Sequence, residues 1–379
     1  MSTPSKIELQ KPFFSEKEKE YVAQVFQQSK TLIQRSFLTQ AQSLLEKKFN
    51  RTIFLLPNCT SAMEILALAE NIESGDEVIM PSFTYVSSAN AFVRSGAIPV
   101  FVDIDPDTMN MDVEQVEKAI TPKTKAVLAV HYAGVACNMK ALKTLCQKHH
   151  LLLIEDAAHA FDAKYNDEFL GTIGDYGVIS FDHTKNIHCG QGGLLIVNNE
   201  NHKKRIHYIY ENGTNRSDFV AGDVPYFEWV SVGSKFYLSD LNAAVLLGQI
   251  ENAGEILQTR LKLWNKYYNL FSGLNLPVVL PKIPPYAQHN GHVFYVKTKS
   301  ADERKQLQQY LVENNIQSAF HFIPLHTSSF GKQIGRFVGE DKFTTKESER
   351  LLRLPLHNYL SEEDVARVVS LVQQFYNKG

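Results

Sequence analysis

From about residue 52 to 200, short β-branched or apolar runs alternate with longer amphipathic stretches, the pattern of parallel strands joined by crossover helices. It predicts strands at Thr52–Leu56, Glu77–Met80, Pro99–Val102, Ala126–Val130, Leu151–Ile154, Val178–Phe181 and Leu194–Val197. Helices are expected near 60–72, 84–95, 112–120 and 138–149. Crossovers of that length imply right-handed βαβ units, hence an α/β architecture with a mostly parallel sheet. After Ser239 one continuous helical pattern runs to Phe271, long enough to connect two domains, and a Pro- and Gly-rich stretch extends from Leu276 to Gly291. Beyond it the pattern predicts a strand at His292–Lys297, a helix at 302–314, a strand at 317–322 and a helix at 361–377. That inventory suits a small α+β unit, so the expected division is a large domain over 1–255, including the N-terminal segment, and a smaller C-terminal domain over 256–379.

Composition narrows what such a fold does. Apolar residues make up 44% of the chain and charged residues 21%, the balance of a folded globular protein. The 39 Lys and Arg nearly cancel the 41 Asp and Glu, with no long run of one sign. Neither nucleic acid nor an anionic membrane is therefore favoured as a partner. The first twenty residues lack the apolar core of a signal peptide and no run of about 18 apolar residues occurs, so a cytoplasmic location is expected. Cys59, Cys137, Cys146 and Cys189 lack C-x-x-C spacing and an accompanying His pair. That argues against a disulfide framework and against a metal site.

In open parallel sheets ligands bind beyond the carboxyl ends of the strands, and three such places carry chemistry-bearing residues. Asp156 comes after the strand Leu151–Ile154 with small Ala157 and Ala158 behind it. A carboxylate there can keep a pyridine nitrogen protonated, the state in which the ring accepts electrons from a substrate carbon; the plainer alternative is a helix N-cap. Lys185 stands five residues after Ser180, before the glycine-rich Gly190–Gly193. It can bond an aldehyde cofactor as a Schiff base if burial depresses its pKa, or it is an ordinary surface charge. Asn58–Ser61 lies between a strand and a helix start, where free amides form a phosphate site; Thr60, Ser61 and Ser180 can add hydroxyls, or Thr60 and Ser61 simply cap the helix. Tyr85 lies past another strand end and can stack on a planar ring, though an aromatic there also suits the core. His159, three residues beyond Asp156, faces the same choice between ligand contact and structural histidine.

Taken together these residues resemble the DegT/DnrJ/EryC1 family of sugar aminotransferases, and within it the dTDP-4-amino-4,6-dideoxygalactose transaminases. Ordered segments carry the resemblance, among them Gly75–Val86, Phe101–Asn110, His131–Cys137, Glu155–His159, Ser180–Asn186, Gly213–Ser217, Phe320–His326 and Thr345–Leu356. The resemblance implies a fold type I homodimer with shared active sites and pyridoxal 5'-phosphate as cofactor. It makes Lys185 the Schiff-base lysine, sets Asp156 at the pyridine nitrogen, gives the phosphate to Thr60, Ser61 and Ser180, and places Tyr85 and His159 around the ring. The implied reaction moves an amine from glutamate to C4 of a dTDP-4-keto-6-deoxyhexose. The equatorial product and a UDP-linked ketosugar remain open, whereas the family's dehydratases carry histidine in place of Lys185. For a nucleotide-diphosphate substrate, Arg216, His321 and His326 are the candidate contacts. The chain departs from the pattern at Gly233–Tyr237, where a partner-subunit Asn is usual and Lys235 or Tyr237 is the candidate replacement, and at Gln191, where an acid is common.

Overall fold

The computed structural model describes residues 5–27 and 35–377. The described residues form thirteen strands: β1 (Thr52–Leu56), β2 (Glu77–Pro81), β3 (Ile98–Val102), β4 (Thr124–Val130), β5 (Leu152–Asp156), β6 (Lys164–Tyr165), β7 (Glu168–Phe169), β8 (Tyr176–Ser180), β9 (Gly193–Val197), β10 (Ala287–Gln288), β11 (Phe294–Lys297), β12 (Arg336–Phe337) and β13 (Leu351–Leu354). Eight of them make one sheet in the order β1-β9-β8-β5-β4-β2-β3-β12. From β8 to β12 every pair is parallel, while β9 runs antiparallel to both β8 and β1. The sheet is thus mostly parallel, as the alternating pattern predicts. The exception has a local cause: only residues 181–192 join β8 to β9, without a crossover helix, so the chain turns back beside itself.

Alternate residues of each strand feed two apolar layers. Ile53, Leu55, Ile79, Val127, Ala129, Leu194 and Ile196 pack with the helices Ser36–Phe49, Met139–His149 and Asp240–Glu251. On the other face Phe54, Leu56, Val78, Met80, Ala126, Leu128, Leu195 and Val197 pack with Cys59–Ala69, Val86–Val93 and Lys203–Tyr210. Burial on both faces explains why these strands read as near-continuous apolar runs.

The helix expected to run unbroken after Ser239 is two helices, Asp240–Glu251 and Ala253–Ser272. Asn252 interrupts it: its side-chain amide donates to Gly248 O and to Ser15 Oγ, and its backbone sits at φ −99°, ψ 4°. A third core then gathers Leu263, Trp264, Tyr267 and Phe271 with β11, β13 and the helix Glu362–Asn377. Ile7 also packs there, bridging to Ile316, although the N-terminal segment was expected with the large unit. The strand expected at 317–322 is reduced to a single bridge between Ala319 and Arg353, and the strand that pairs with β11 is β13. The segment turns away because Pro324 has no amide to continue a ladder; Leu325 N donates instead to Ser82 O, and the chain crosses back to add β12 to the large sheet. All four cysteines are buried and unbridged. Among the described residues no helix is long and apolar enough to cross a membrane.

Close approach of β9 to the helix start at Cys59 requires a glycine. A Cβ at Gly193 would meet the Asn58 carbonyl and lie 2.5 Å from the Cys59 nitrogen. Gly193→Ala is therefore expected to lower the unfolding free energy by about 3 kcal/mol through backbone displacement. Urea denaturation measures it; a loss smaller than about 1 kcal/mol would show that this contact yields freely.

Candidate active site

The sheet register assembles the first part of the site. Ser180 at the end of β8 pairs with Gly193, which pairs in turn with Leu56 at the end of β1. Two residues on, Asn58 caps the helix Cys59–Ala69, its Oδ1 accepting from Ser61 N at 2.8 Å. The cap is Asn58, because only its short carbonyl side chain reaches back to the Ser61 amide. Ser61 is buried within the first turn and does not reach the cavity, whereas Cys59 and Thr60 do. Their amides precede any i−4 carbonyl and lie at the positive end of the helix, which suits an anion. Ser180 Oγ accepts from Asp182 N at 3.3 Å, leaving its own hydrogen to donate.

A cavity of about 550 Å3 opens from this helix start. Thr60, Tyr85, Asp156, His159, Ser180, Lys185 and His321 all line it. Asp156 closes β5 and is 4% exposed. Its Oδ2 accepts from Ser88 Oγ at 2.7 Å and its Oδ1 from Ala158 N at 3.2 Å. Because Ser88 gives its proton to the carboxylate, Thr84 Oγ1 donates to Ser88 across 2.8 Å. No helix begins after Asp156, so it is not an N-cap; it lines the cavity, and each of its oxygens accepts one hydrogen bond from the protein. The neighbouring Glu155 points to the opposite side of the strand, where it is fully buried and accepts from the amides of Gly171, Ile173 and Gly174 and from His131.

Lys185 rides on the β8–β9 connection, its amide donating to Asp182 O at 2.9 Å. Burial holds its amine below the ordinary lysine range, against the opposing pull of Cys59, Asp156 and Asp182, with the Arg353 charge adding to the depression. Tyr85 stands at the mouth, 60% exposed, its ring 6.2 Å from that of Phe322.

A second wall is aromatic and cationic. His159 Nδ1 accepts from Ala133 N at 3.3 Å, which puts the ring hydrogen of the neutral form on Nε2. Burial, Lys185, His321 and Arg353 all hold this imidazole neutral. His292 packs 4.3 Å from it and donates through Nδ1 to Asn186 Oδ1 at 2.9 Å. His321 stacks on Phe322 at 4.1 Å. It accepts at Nε2 from Arg353 Nη1, and so donates through Nδ1 to Tyr132 Oη at 3.2 Å.

Two of the candidate substrate contacts lie elsewhere in this chain. Arg216 is exposed at the start of the helix Arg216–Ala221, away from the cavity. His326 accepts at Nδ1 from Ser82 Oγ at 2.7 Å and donates through Nε2 to Asp341 at 3.0 Å. That histidine pins the crossing loop to the end of β2, which leaves neither ring nitrogen for a ligand. Conversely, His292 and Arg353 line the cavity without having been singled out in sequence. The available signal was Arg353 itself, one charge inside the apolar run Leu351–Leu356. Gln191 and Gly192 complete the rim near Lys185.

Comparison with known proteins places this geometry in context. Residues 14–373 match the model of the DegT/DnrJ/EryC1/StrS aminotransferase family. The spore coat polysaccharide biosynthesis protein SpsC of Bacillus subtilis is 33% identical over 328 residues, which cover 83% of this chain and 83% of SpsC. The aminotransferase TlmJ of Streptoalloteichus hindustanus superposes with a TM-score of 0.89 at 25% identity, over 99% of this chain and 100% of TlmJ. Spr1654 of Streptococcus pneumoniae, in its PLP form, gives a TM-score of 0.89 at 23% identity over 99% of both chains.

The depressed amine of Lys185 has a consequence for stability. The unfolded chain binds this proton more tightly than the folded one, so stability rises as pH climbs from the folded value toward the ordinary lysine value of 10.5. In protein freed of any aldehyde adduct, Lys185→Met is expected to be more stable than the parent at neutral pH. The advantage should shrink as pH approaches the ordinary lysine value. Denaturation at the two pH values checks this, and an advantage that is absent at neutral pH or grows with pH contradicts the burial argument.

Proposed function

The chain belongs to the DegT/DnrJ/EryC1/StrS aminotransferase family, and from that premise we propose that it moves an amine from glutamate to C4 of dTDP-4-keto-6-deoxy-D-glucose. The product is dTDP-4-amino-4,6-dideoxy-D-galactose, destined for surface polysaccharide. Family membership itself makes the protein a sugar aminotransferase of fold type I that uses pyridoxal 5'-phosphate. The observation that supports amine transfer in this cavity is that Lys185, Asp156, Thr60 and Ser180 line it together; the choice of sugar follows the resemblance of the sequence.

The residues present fit the cofactor. The helix start at Cys59 and Thr60, with Ser180, offers donors for its phosphate; Asp156 offers a buried carboxylate for its ring nitrogen; and Lys185 offers an amine held away from full protonation. When bound, the cofactor supplies an electron sink for the carbon that loses or gains the amine. Ser88 and Ala158 orient Asp156 so that the ring nitrogen stays protonated. The Lys185 amine accepts a proton from the substrate carbon and returns one in the reverse half, a task suited to an amine with a lowered pKa. His159, neutral and with its tautomer fixed by Ala133, donates through Nε2 without adding charge beside Lys185. Tyr85 and Phe322 flank the mouth, and Tyr85 there can stack on the cofactor ring. Glutamate leaves as 2-oxoglutarate before the ketosugar enters the same cavity.

A homodimer with shared active sites in the cytoplasm belongs to the same proposal. The exposed apolar side chains Phe219, Val220, Tyr226, Phe227, Trp229 and Val232 support it, since a monomer rarely leaves so many together in water.

Purified protein supplied with the cofactor, glutamate and dTDP-4-keto-6-deoxy-D-glucose is expected to form an axial C4 amine, assigned by NMR. An equatorial amine would redirect the product to dTDP-4-amino-4,6-dideoxy-D-glucose, and turnover of a UDP-linked 4-ketosugar alone would move the substrate. Lys185→Ala should lower turnover by at least about 1,000-fold and Asp156→Asn by about 100-fold. Unimpaired turnover by Lys185→Ala would sink the mechanism.

A further inference from the structure

Four consecutive carbonyls, those of Asn290, Gly291, His292 and Val293, each accept a hydrogen bond from a side chain. Asn186 Nδ2 donates to Asn290 O at 3.0 Å, Arg260 Nε to Gly291 O at 3.1 Å, Arg260 Nη2 to His292 O at 2.7 Å and Trp264 Nε1 to Val293 O at 3.1 Å. The segment ends where the β11 ladder begins, at Phe294, so these carbonyls lie outside its register. Arg260 and Trp264 stand one turn apart on the helix Ala253–Ser272 and therefore share a face of it. Gly291, at φ 61°, lets the segment lie against that helix: a Cβ there would stand 3.1 Å from the Arg260 carbonyl carbon. Arg260 is buried and bonded to carbonyls rather than to a carboxylate, and burial and the Arg353 charge both disfavour its guanidinium. A buried cation answered by two carbonyl dipoles is costly, so its effect is to be sought in the segment it holds.

That segment grips the chain on both sides of Lys185. Asn186, the next residue, is bonded to it twice: Nδ2 donates to Asn290 O, and Oδ1 accepts from His292 Nδ1 at 2.9 Å. Asn290 Nδ2 donates to the carbonyls of His159 and Phe161, both at 2.9 Å, and the His292 ring packs 4.3 Å from that of His159. Two acceptors at one nitrogen fix the Asn290 amide, because the flipped form would set its oxygen against two carbonyl oxygens. We propose that Arg260 is a positioning residue for the transfer: by fixing residues 290–293 it holds Asn186, and through Asn186 it sets where the Lys185 amine stands relative to His159. This rests on the transaminase reading given above. Proton transfer between a substrate carbon and an amine is steeply sensitive to placement, and the other backbone ties of the Lys185 loop are local, from Lys185 N to Asp182 O and from His183 N to Gly190 O. Arg260 supplies a distant hold, from a helix whose Ile256 and Leu257 pack in the core of the large sheet and whose Leu263 and Trp264 pack in that of the small unit. Cys59, Asp156, Asp182 and Arg353 act on the Lys185 amine through their charge, and His159, His292 and His321 beside it are held neutral. Arg260 acts through the bonds it makes.

The test uses Arg260→Met, Arg260→Lys and Asn186→Ala, with Leu307→Ala in the core of the small unit as a variant that destabilises without touching the clamp. In cofactor-free protein, the pH midpoint at which acetic anhydride acetylates Lys185, followed by mass spectrometry, reports how far the amine is withdrawn from water. The midpoint of the parent lies below 10.5. A loosened clamp hydrates the amine, so the midpoint is expected to rise by about 0.5 pH unit or more in Arg260→Met and Asn186→Ala, by less in Arg260→Lys, and not at all in Leu307→Ala. In the holoenzyme, single turnovers with glutamate and with glutamate deuterated at Cα are followed by the cofactor absorbance. Arg260→Met and Asn186→Ala should slow this half by roughly 100-fold, with a larger isotope effect and with glutamate affinity within about 3-fold of the parent. Asn186→Ala removes no charge and Arg260→Lys keeps one, so these two carry the test if Arg260→Met does not fold. An unmoved midpoint in Asn186→Ala and Arg260→Lys, an equal shift in Leu307→Ala, or a loss of glutamate affinity in place of rate would each overturn the assignment. If midpoints and the glutamate half respond as expected while the parent aminates no nucleotide sugar, the positioning role stands and the proposed substrate fails.

Discussion

Burial of the central sheet on both of its faces governs everything else in this molecule. A strand covered by helices above and below has no room for a charge except at its ends or in a fully satisfied network. The two consecutive acids of β5 show both solutions. Glu155 faces one layer and is neutralised by three amides and a histidine, which also fixes the turn at 171–174. Asp156, one residue later and on the other face, stands at the strand end where the cavity begins, steadied by Ser88 and Ala158 but left with capacity to spare.

The same constraint distributes the remaining chemistry. Ser180, the helix start after β1 and the loop bearing Lys185 meet because β8, β9 and β1 are adjacent and in register, with Gly193 thin enough to let the helix start approach. The second wall comes from a different source. Pro324 releases the chain from β13, the loop returns to Ser82, and His321, Phe322 and Arg353 close over the sheet ends. One side of the cavity therefore presents hydroxyls, a helix start, a carboxylate and an amine, and the other presents aromatic rings and a guanidinium.

Charge is arranged with equal economy. Three histidines on the second wall are kept neutral by burial and by neighbouring cations, and hydrogen bonds to Ala133, Asn186 and Arg353 settle their tautomers. Lys185 and Arg353 stay as the cationic groups that face them, and each depresses the other's neighbours. A site poised in this way suits anions and holds one buried amine below the ordinary lysine range.

The alternation of apolar runs determined the α/β class, the seven main strands and the polar residues at their carboxyl ends, because periods of 2 and 3.6 are local properties of a chain packed in layers. Asp156, Lys185, Thr60 and Ser180 were legible for that reason: each sits beside the strand that positions it. Kinks and contacts that cross between units were not legible. The break at Asn252 depends on a hydrogen bond to Ser15, the loss of the strand at 317–322 on a return path to Ser82, and the place of His326 on Asp341. Arg353 reaches the cavity only when β13 pairs with β11 and bridges to Ala319. Contacts of that kind join residues far apart in sequence, so no local period records them, and only the folded chain decides which charges are answered from within and which are left open for a ligand.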